Sequence, residues 1–111
     1  MTQGENIADL GGVSISFKSY LRYFKENADV KAKDFSAWGT FTPEQLFFIN
    51  YARIWRGSTR DEEMQKRLVT DPHSPPIFRV NGSIINLDDF ARVFGLKKGD
   101  GLWKENRLSV W

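Results

Sequence analysis

Between Leu46 and Trp55 the chain reads Leu-Phe-Phe-Ile-Asn-Tyr-Ala-Arg-Ile-Trp. Wound as a helix, this run is apolar on nearly all sides, so other elements must enclose it. Its start is equally clear. Thr42 stands at an N-cap position, Pro43 at the first helical position, and Gln45 completes a capping box. Phe41 and Leu46 fall at the two positions of a hydrophobic staple. Gly57 is expected to stop the helix, which then spans Pro43 to Arg56 and forms the buried centre of the fold.

The remaining chain has to supply walls around that helix. From Glu5 to about Asn27, the residues Ile7, Leu10, Val13, Phe17, Leu21 and Phe24 step by three or four, predicting one long amphipathic helix that packs against the central one. Lys18, Arg22, Lys25 and Glu26 are expected to face water. Gly11 and Gly12 each cost such a helix about 1 kcal/mol relative to alanine, which suggests close approach of another backbone. Residues 28–41 lose the period and read as a loop pinned by Phe35 and Trp38. A cap at Thr59-Arg60-Asp61-Glu62 opens a short surface helix to about Val69. Three of the four prolines lie in Thr70-Asp71-Pro72-His73-Ser74-Pro75-Pro76, which predicts irregular structure. Around Asn81-Gly82 a hairpin, a helical turn and an extended linker all remain open. Asn86-Leu87-Asp88-Asp89 is expected to cap a last helix through Phe90, Val93 and Phe94, ended by Gly95. The tail finishes at Trp111, which is expected to dock on the body. The fold predicted is all-α, with four helices and an irregular Pro-rich segment between the third and fourth.

Composition narrows the function. Sixteen basic and fourteen acidic residues are nearly balanced, with no basic run longer than two, so nucleic-acid binding is not supported. There is no cysteine, which excludes disulfides, thiolate metal sites and cysteine catalysis. No apolar run approaches the length that spans a bilayer.

Three features carry chemistry. On a helix, Glu5 and Asp9 lie one turn apart on the same face, where one carboxylate could hold a metal while the other orients a neighbouring ligand. The same residues also fit a first helical turn capped by Thr2, with acids placed to suit the helix dipole. In Asp71-Pro72-His73 a rigid loop could hold the only histidine against a carboxylate, or simply display it on the surface. Arg79 could grip a carbonyl or carboxylate, or point outward from a strand.

Taken together, these segments resemble the C-terminal portion of the neprilysin-type zinc metallopeptidases, the family that includes endothelin-converting enzyme and bacterial oligopeptidases. The likeness begins at Gly4-Glu5-Asn6-Ile7-Ala8-Asp9 and continues through Gln45 to Trp55. It then takes in Asp71-Pro72-His73-Ser74-Pro75 with Phe78-Arg79, and ends at Val110-Trp111. The resemblance implies the helical half of a thermolysin-like (gluzincin) catalytic domain, with residues 1–111 as one domain. It implies that Glu5 is the third zinc ligand and that Asp9 is the acid that hydrogen-bonds a ligand histidine. It further implies that His73 stabilises the oxyanion, with Asp71 holding it protonated, and that Arg79 binds the substrate backbone carbonyl just past the scissile bond.

This chain departs from the family in three places. The His-Glu-x-x-His motif that supplies the first two zinc ligands and the general base is absent, so the chain reads as a C-terminal fragment. Leu108 stands where the family has a cysteine near its end, and Ser109 replaces the basic residue before the final Val-Trp. The expected parent is a zinc metalloendopeptidase of oligopeptides in an extracytoplasmic (periplasmic or secreted) setting. Its partners would be a peptide substrate and the missing N-terminal part of the same enzyme. The isolated chain is expected to be inactive, without zinc, and able to dimerise through faces left exposed. The competing expectation is a stand-alone helical protein-binding module without catalysis.

Overall fold

A computed structural model describes residues 2–31 and 39–110. Among these residues all regular structure is helical: α1 (Gln3–Glu26), α2 (Ala28–Lys31), α3 (Pro43–Ile54), α4 (Asp61–Thr70), α5 (Pro76–Ile84) and α6 (Asp88–Phe94). The all-α class is as expected, but there are two more helices than the four foreseen. One is the single turn α2. The other is α5, which takes up most of the stretch left open around Asn81-Gly82. Pro76 sits in the first turn of α5, and Val80, Ser83 and Ile84 turn inward while Ile77 and Phe78 stay exposed. That inward spacing is helical, and Gly82 does not take the positive φ that a tight hairpin would use. Only residues 71–75 remain irregular between α4 and α5.

The core is formed by Val13 and Phe17 of α1, Phe48 of α3, Val80 and Ile84 of α5, and Leu87 and Phe90 at the start of α6. Aromatic rings tie the helices together. Phe17 meets Phe48 at 4.7 Å between centroids, Phe48 meets Phe90 at 5.3 Å, and Phe90 meets Phe94 at 5.0 Å, distances at which tilted and edge-on rings attract. α1 and α3 meet through these rings and through the Tyr20 hydroxyl, which donates to the Pro43 carbonyl at 2.7 Å. The capping box of α3 is formed as written in the sequence. The Gln45 N–H donates to Thr42 Oγ1 at 3.1 Å and the Thr42 N–H donates to Gln45 Oε1 at 3.0 Å.

Several local expectations are corrected. α3 ends at Ile54, short of Arg56, and only Leu46 and Phe48 of that helix are fully buried, while Ile54 is 75% exposed. Gly12 is exposed, and a Cβ there would meet nothing within 4 Å, so no backbone presses on it. Thr2 forms no side-chain cap on α1, and Arg60 rather than Thr59 occupies the N-cap of α4. Asn86 does not cap α6, whose N-cap is Leu87. It clamps the tail instead: its Oδ1 accepts from Lys104 Nζ at 2.7 Å and from the Leu108 N–H at 2.8 Å, and its amide donates to the Gly82 carbonyl at 2.7 Å. Gly95 ends α6 with φ +62°, the left-handed conformation expected there. Phe35, Trp38 and Trp111 lie outside the described residues.

Candidate active site

Helical periodicity puts Glu5 and Asp9 one turn apart on the same side of α1. α1 lies along α5, and α5 carries Arg79 in its first turn. The guanidinium reaches Asp9 across 70 residues of sequence. Nε donates to Oδ2 at 2.6 Å and Nη2 donates to Oδ1 at 2.7 Å, a bidentate pair with both side chains mostly buried (14% and 12% exposed). The hydrogen bonds to Asp9 hold the Arg79 pKa above its ordinary value, against burial, which pulls it down. On one face of the guanidinium lies the indole of Trp55, 4.1 Å from Cζ to the ring centroid.

His73 stands beside this pair. The irregular stretch 71–75 folds back so that Asp71 Oδ1 accepts the His73 N–H at 2.9 Å and meets Nδ1 of the ring at 2.8 Å. The opposite ring nitrogen, Nε2, lies 3.3 Å from Glu5 Oε2. The contact from the His73 N–H, followed by that from the ring, holds the Asp71 carboxyl below the usual carboxylate range. One imidazole therefore bridges a carboxylate of the proline loop and a carboxylate of α1. The five residues singled out in the sequence thus stand together, in two linked sets: Asp71–His73–Glu5 and Asp9–Arg79.

Sequence reading missed two members of this neighbourhood, both on α3 or its end. Trp55 is one. The other is Tyr51, one turn before it, whose hydroxyl is buried without a well-aligned hydrogen-bond partner; the Trp55 Nε1 atom is in the same condition. Burial pushes the Tyr51 phenol above its usual pKa, and the charge on Asp9 acts in the same direction. The spacing of four between Tyr51 and Trp55 could have marked a shared face, but the apolar run hid any sign that this face meets an ion pair.

Among the described residues no group of three or more His, Cys, Asp or Glu side chains converges to hold a metal ion. Glu5 can offer one carboxylate, partly exposed at 44%, as a single ligand. These residues therefore fit one position of a zinc set and do not build a complete site.

Comparison with known proteins identifies the family of the chain. The model of peptidase family M13 matches residues 1–110. The chain is 45% identical over 111 residues to human membrane metallo-endopeptidase-like 1, and 40% identical over 111 residues to neprilysin-1 of Caenorhabditis elegans. It covers 14% and 15% of their lengths, so it spans a small part of these relatives while being matched nearly end to end itself. The open-state structure of the Mycobacterium tuberculosis zinc metalloprotease Zmp1 superposes with a TM-score of 0.87 at 38% identity, covering 99% of this chain and 16% of that one. On sequence and on fold alike, the chain belongs to peptidase family M13.

Proposed function

We propose that residues 1–111 form the C-terminal segment of a zinc-dependent metalloendopeptidase that hydrolyses oligopeptides, as a single domain lacking the His-Glu-x-x-His helix. In this reading Glu5 is the third zinc ligand. The metal, when bound, polarises water and carbonyl oxygen for attack. Residues of this chain position the substrate and receive the charge that develops on it. With Nδ1 engaged by Asp71, the His73 ring is fixed in place, and its Nε2–H is the donor offered to the oxyanion once Glu5 is engaged elsewhere. Arg79, with Nε and Nη2 committed to Asp9, keeps Nη1 for the substrate backbone carbonyl. Asp9 is the acid next to the metal ligands, and in the complete site it would also accept from a ligand histidine.

The observation that carries the reading is the gathering of Glu5, Asp71 and His73 next to the Asp9–Arg79 pair. The remaining ligands and the general base would come from an upstream part of the same enzyme, acting on peptide in an extracytoplasmic setting. The isolated chain would then be inactive and bind zinc no better than a lone carboxylate. A test is to follow the natural reading frame upstream, express the complete protein and assay peptide cleavage with and without zinc. Zinc-dependent cleavage abolished by Glu5→Gln is the expected result. Stoichiometric zinc, or peptide cleavage abolished by Glu5→Gln, in the isolated 111 residues would overturn the expected inactivity of the fragment, and cleavage by the complete protein that survives Glu5→Gln would overturn the role of Glu5.

A second reading, a helical protein-binding module without catalysis, has the exposed Ile54, Ile77 and Phe78 in its favour. A reading frame that starts at Met1 with no upstream His-Glu-x-x-His would favour that module.

A further inference from the structure

Arg79 is held more tightly than a substrate-gripping arginine needs to be. Two of its three nitrogens are bound by Asp9, one flat face is covered by Trp55, and the side chain is only 14% exposed. A guanidinium is planar, so fixing one edge and one face fixes the direction of the remaining edge. The buried indole Nε1 faces the Tyr51 hydroxyl without a well-aligned hydrogen bond, and Trp55 meets Arg79 through its ring face.

We propose that Trp55 is a positioning residue for Arg79: its indole is the floor that, together with the Asp9 fork, aims the free Nη1 edge at the substrate. The proposal rests on the reading of Arg79 as the carbonyl-binding residue and adds the residue that sets its geometry. Its logic is preorganisation. A guanidinium that need not be ordered when peptide arrives loses less side-chain entropy on binding, and a small misalignment of a positioning group is felt in the rate. Trp55 follows the last turn of α3, and the capping box that starts that helix is thereby linked to the aim of a side chain on α5.

The test has two arms. In the 111-residue chain, the Arg79 Nε–H proton is expected to show a ring-current shift and slowed exchange in NMR spectra. Trp55→Leu should remove the ring-current part of the shift and leave the part due to the Asp9 hydrogen bond, while Trp55→Phe should keep most of both. An Arg79 signal unaffected by Trp55→Leu would overturn the contact. In the complete peptidase, Trp55→Leu should lower kcat/KM about tenfold, in the range a partly desolvated cation–π contact can supply. Trp55→Phe should stay within about threefold of the parent. With Arg79→Met already present, Trp55→Leu should cost less than about twofold more. Trp55→Met has no ring but is unbranched and adapts to irregular space, and it replaces Trp55→Leu if that variant fails to fold. If Arg79→Met and Trp55→Leu each lower kcat/KM and their effects multiply, the positioning role is wrong while the role of Arg79 stands. If Arg79→Met leaves kcat/KM unchanged, the reading of Arg79 itself falls, and this proposal with it.

Discussion

Asp9 and Arg79 form one of the two sets that make up the site, and their environment gives a test that needs no activity. The Asp9 carboxylate and the Arg79 guanidinium are mostly buried and hydrogen-bonded to each other, so removing one partner leaves the other charged and uncompensated. Asp9→Asn is expected to lower the unfolding free energy of the chain by about 3 kcal/mol, measured by urea denaturation. A loss under about 1 kcal/mol would mean that the pair is hydrated and weak, as surface pairs are. Asp71 gives a pH signature instead. Its folded pKa is depressed, so the stability it contributes is present above the unfolded carboxylate pKa and is lost as pH falls through the folded value. The stability gap between the parent and Asp71→Ala should therefore be open at neutral pH and close below about pH 4. A gap that instead widens on acidification would reverse the sign argued here. At this scale the sequence was informative about which residues gather in one place and silent about who holds whom. The spacing of Glu5 and Asp9 gives a shared helix face. No local pattern can reveal that the partner of Asp9 is Arg79, 70 residues on, or that Trp55 lies over that partner.

Helix ends behaved unevenly as signals, and the reason is chemical. The box at Thr42 and Gln45 formed because the one long-range contact of Gln45, from Nε2 to the Val93 carbonyl at 3.2 Å, leaves its Oε1 for the Thr42 N–H, whereas the Oδ1 of Asn86, equally suited to cap, is taken by Lys104 and the Leu108 N–H. α5 was ambiguous because nine residues with a mixed apolar pattern fit a strand pair or a helix until the core shows which side chains turn inward. Glycines separate cleanly by backbone conformation. Gly12 lies inside α1, is exposed, and has nothing within 4 Å of an added Cβ, so Gly12→Ala should stabilise the chain by about 0.8 kcal/mol. Gly95 has equal room but sits at φ +62°, so Gly95→Ala should destabilise by about 1–2 kcal/mol. Thermal melts of the two variants ought to shift in opposite directions. A shared direction would mean that space, rather than backbone preference, decides at these positions.

Viewed whole, the described residues enclose α3 on one side only. The ring-stacked core covers Phe48, yet the flanks of the same helix open onto two grooves. Tyr20, Phe47, Tyr51 and Ile54 line one; Ile49, Ala52, Trp55, Ile77 and Val80 contribute to the other. Sequence had marked this helix as apolar all round and therefore central, which holds only if something else covers those flanks. The chain covers 14–15% of the relatives named above, and in the function proposed here the cover for those flanks is the upstream part of the enzyme. Among the described residues nothing covers these flanks, and exposed patches of this kind drive association in water. The weight-average mass in sedimentation is therefore expected to rise above the 12.8 kDa of the monomer as concentration increases. Replacing the exposed Ile54 and Ile77 together by Glu should return it to the monomer value without unfolding the helices, because neither side chain belongs to the buried core. A mass fixed at the monomer value at every concentration would show that water covers these flanks at no great cost, and would remove the argument that α3 is built to be enclosed on both sides.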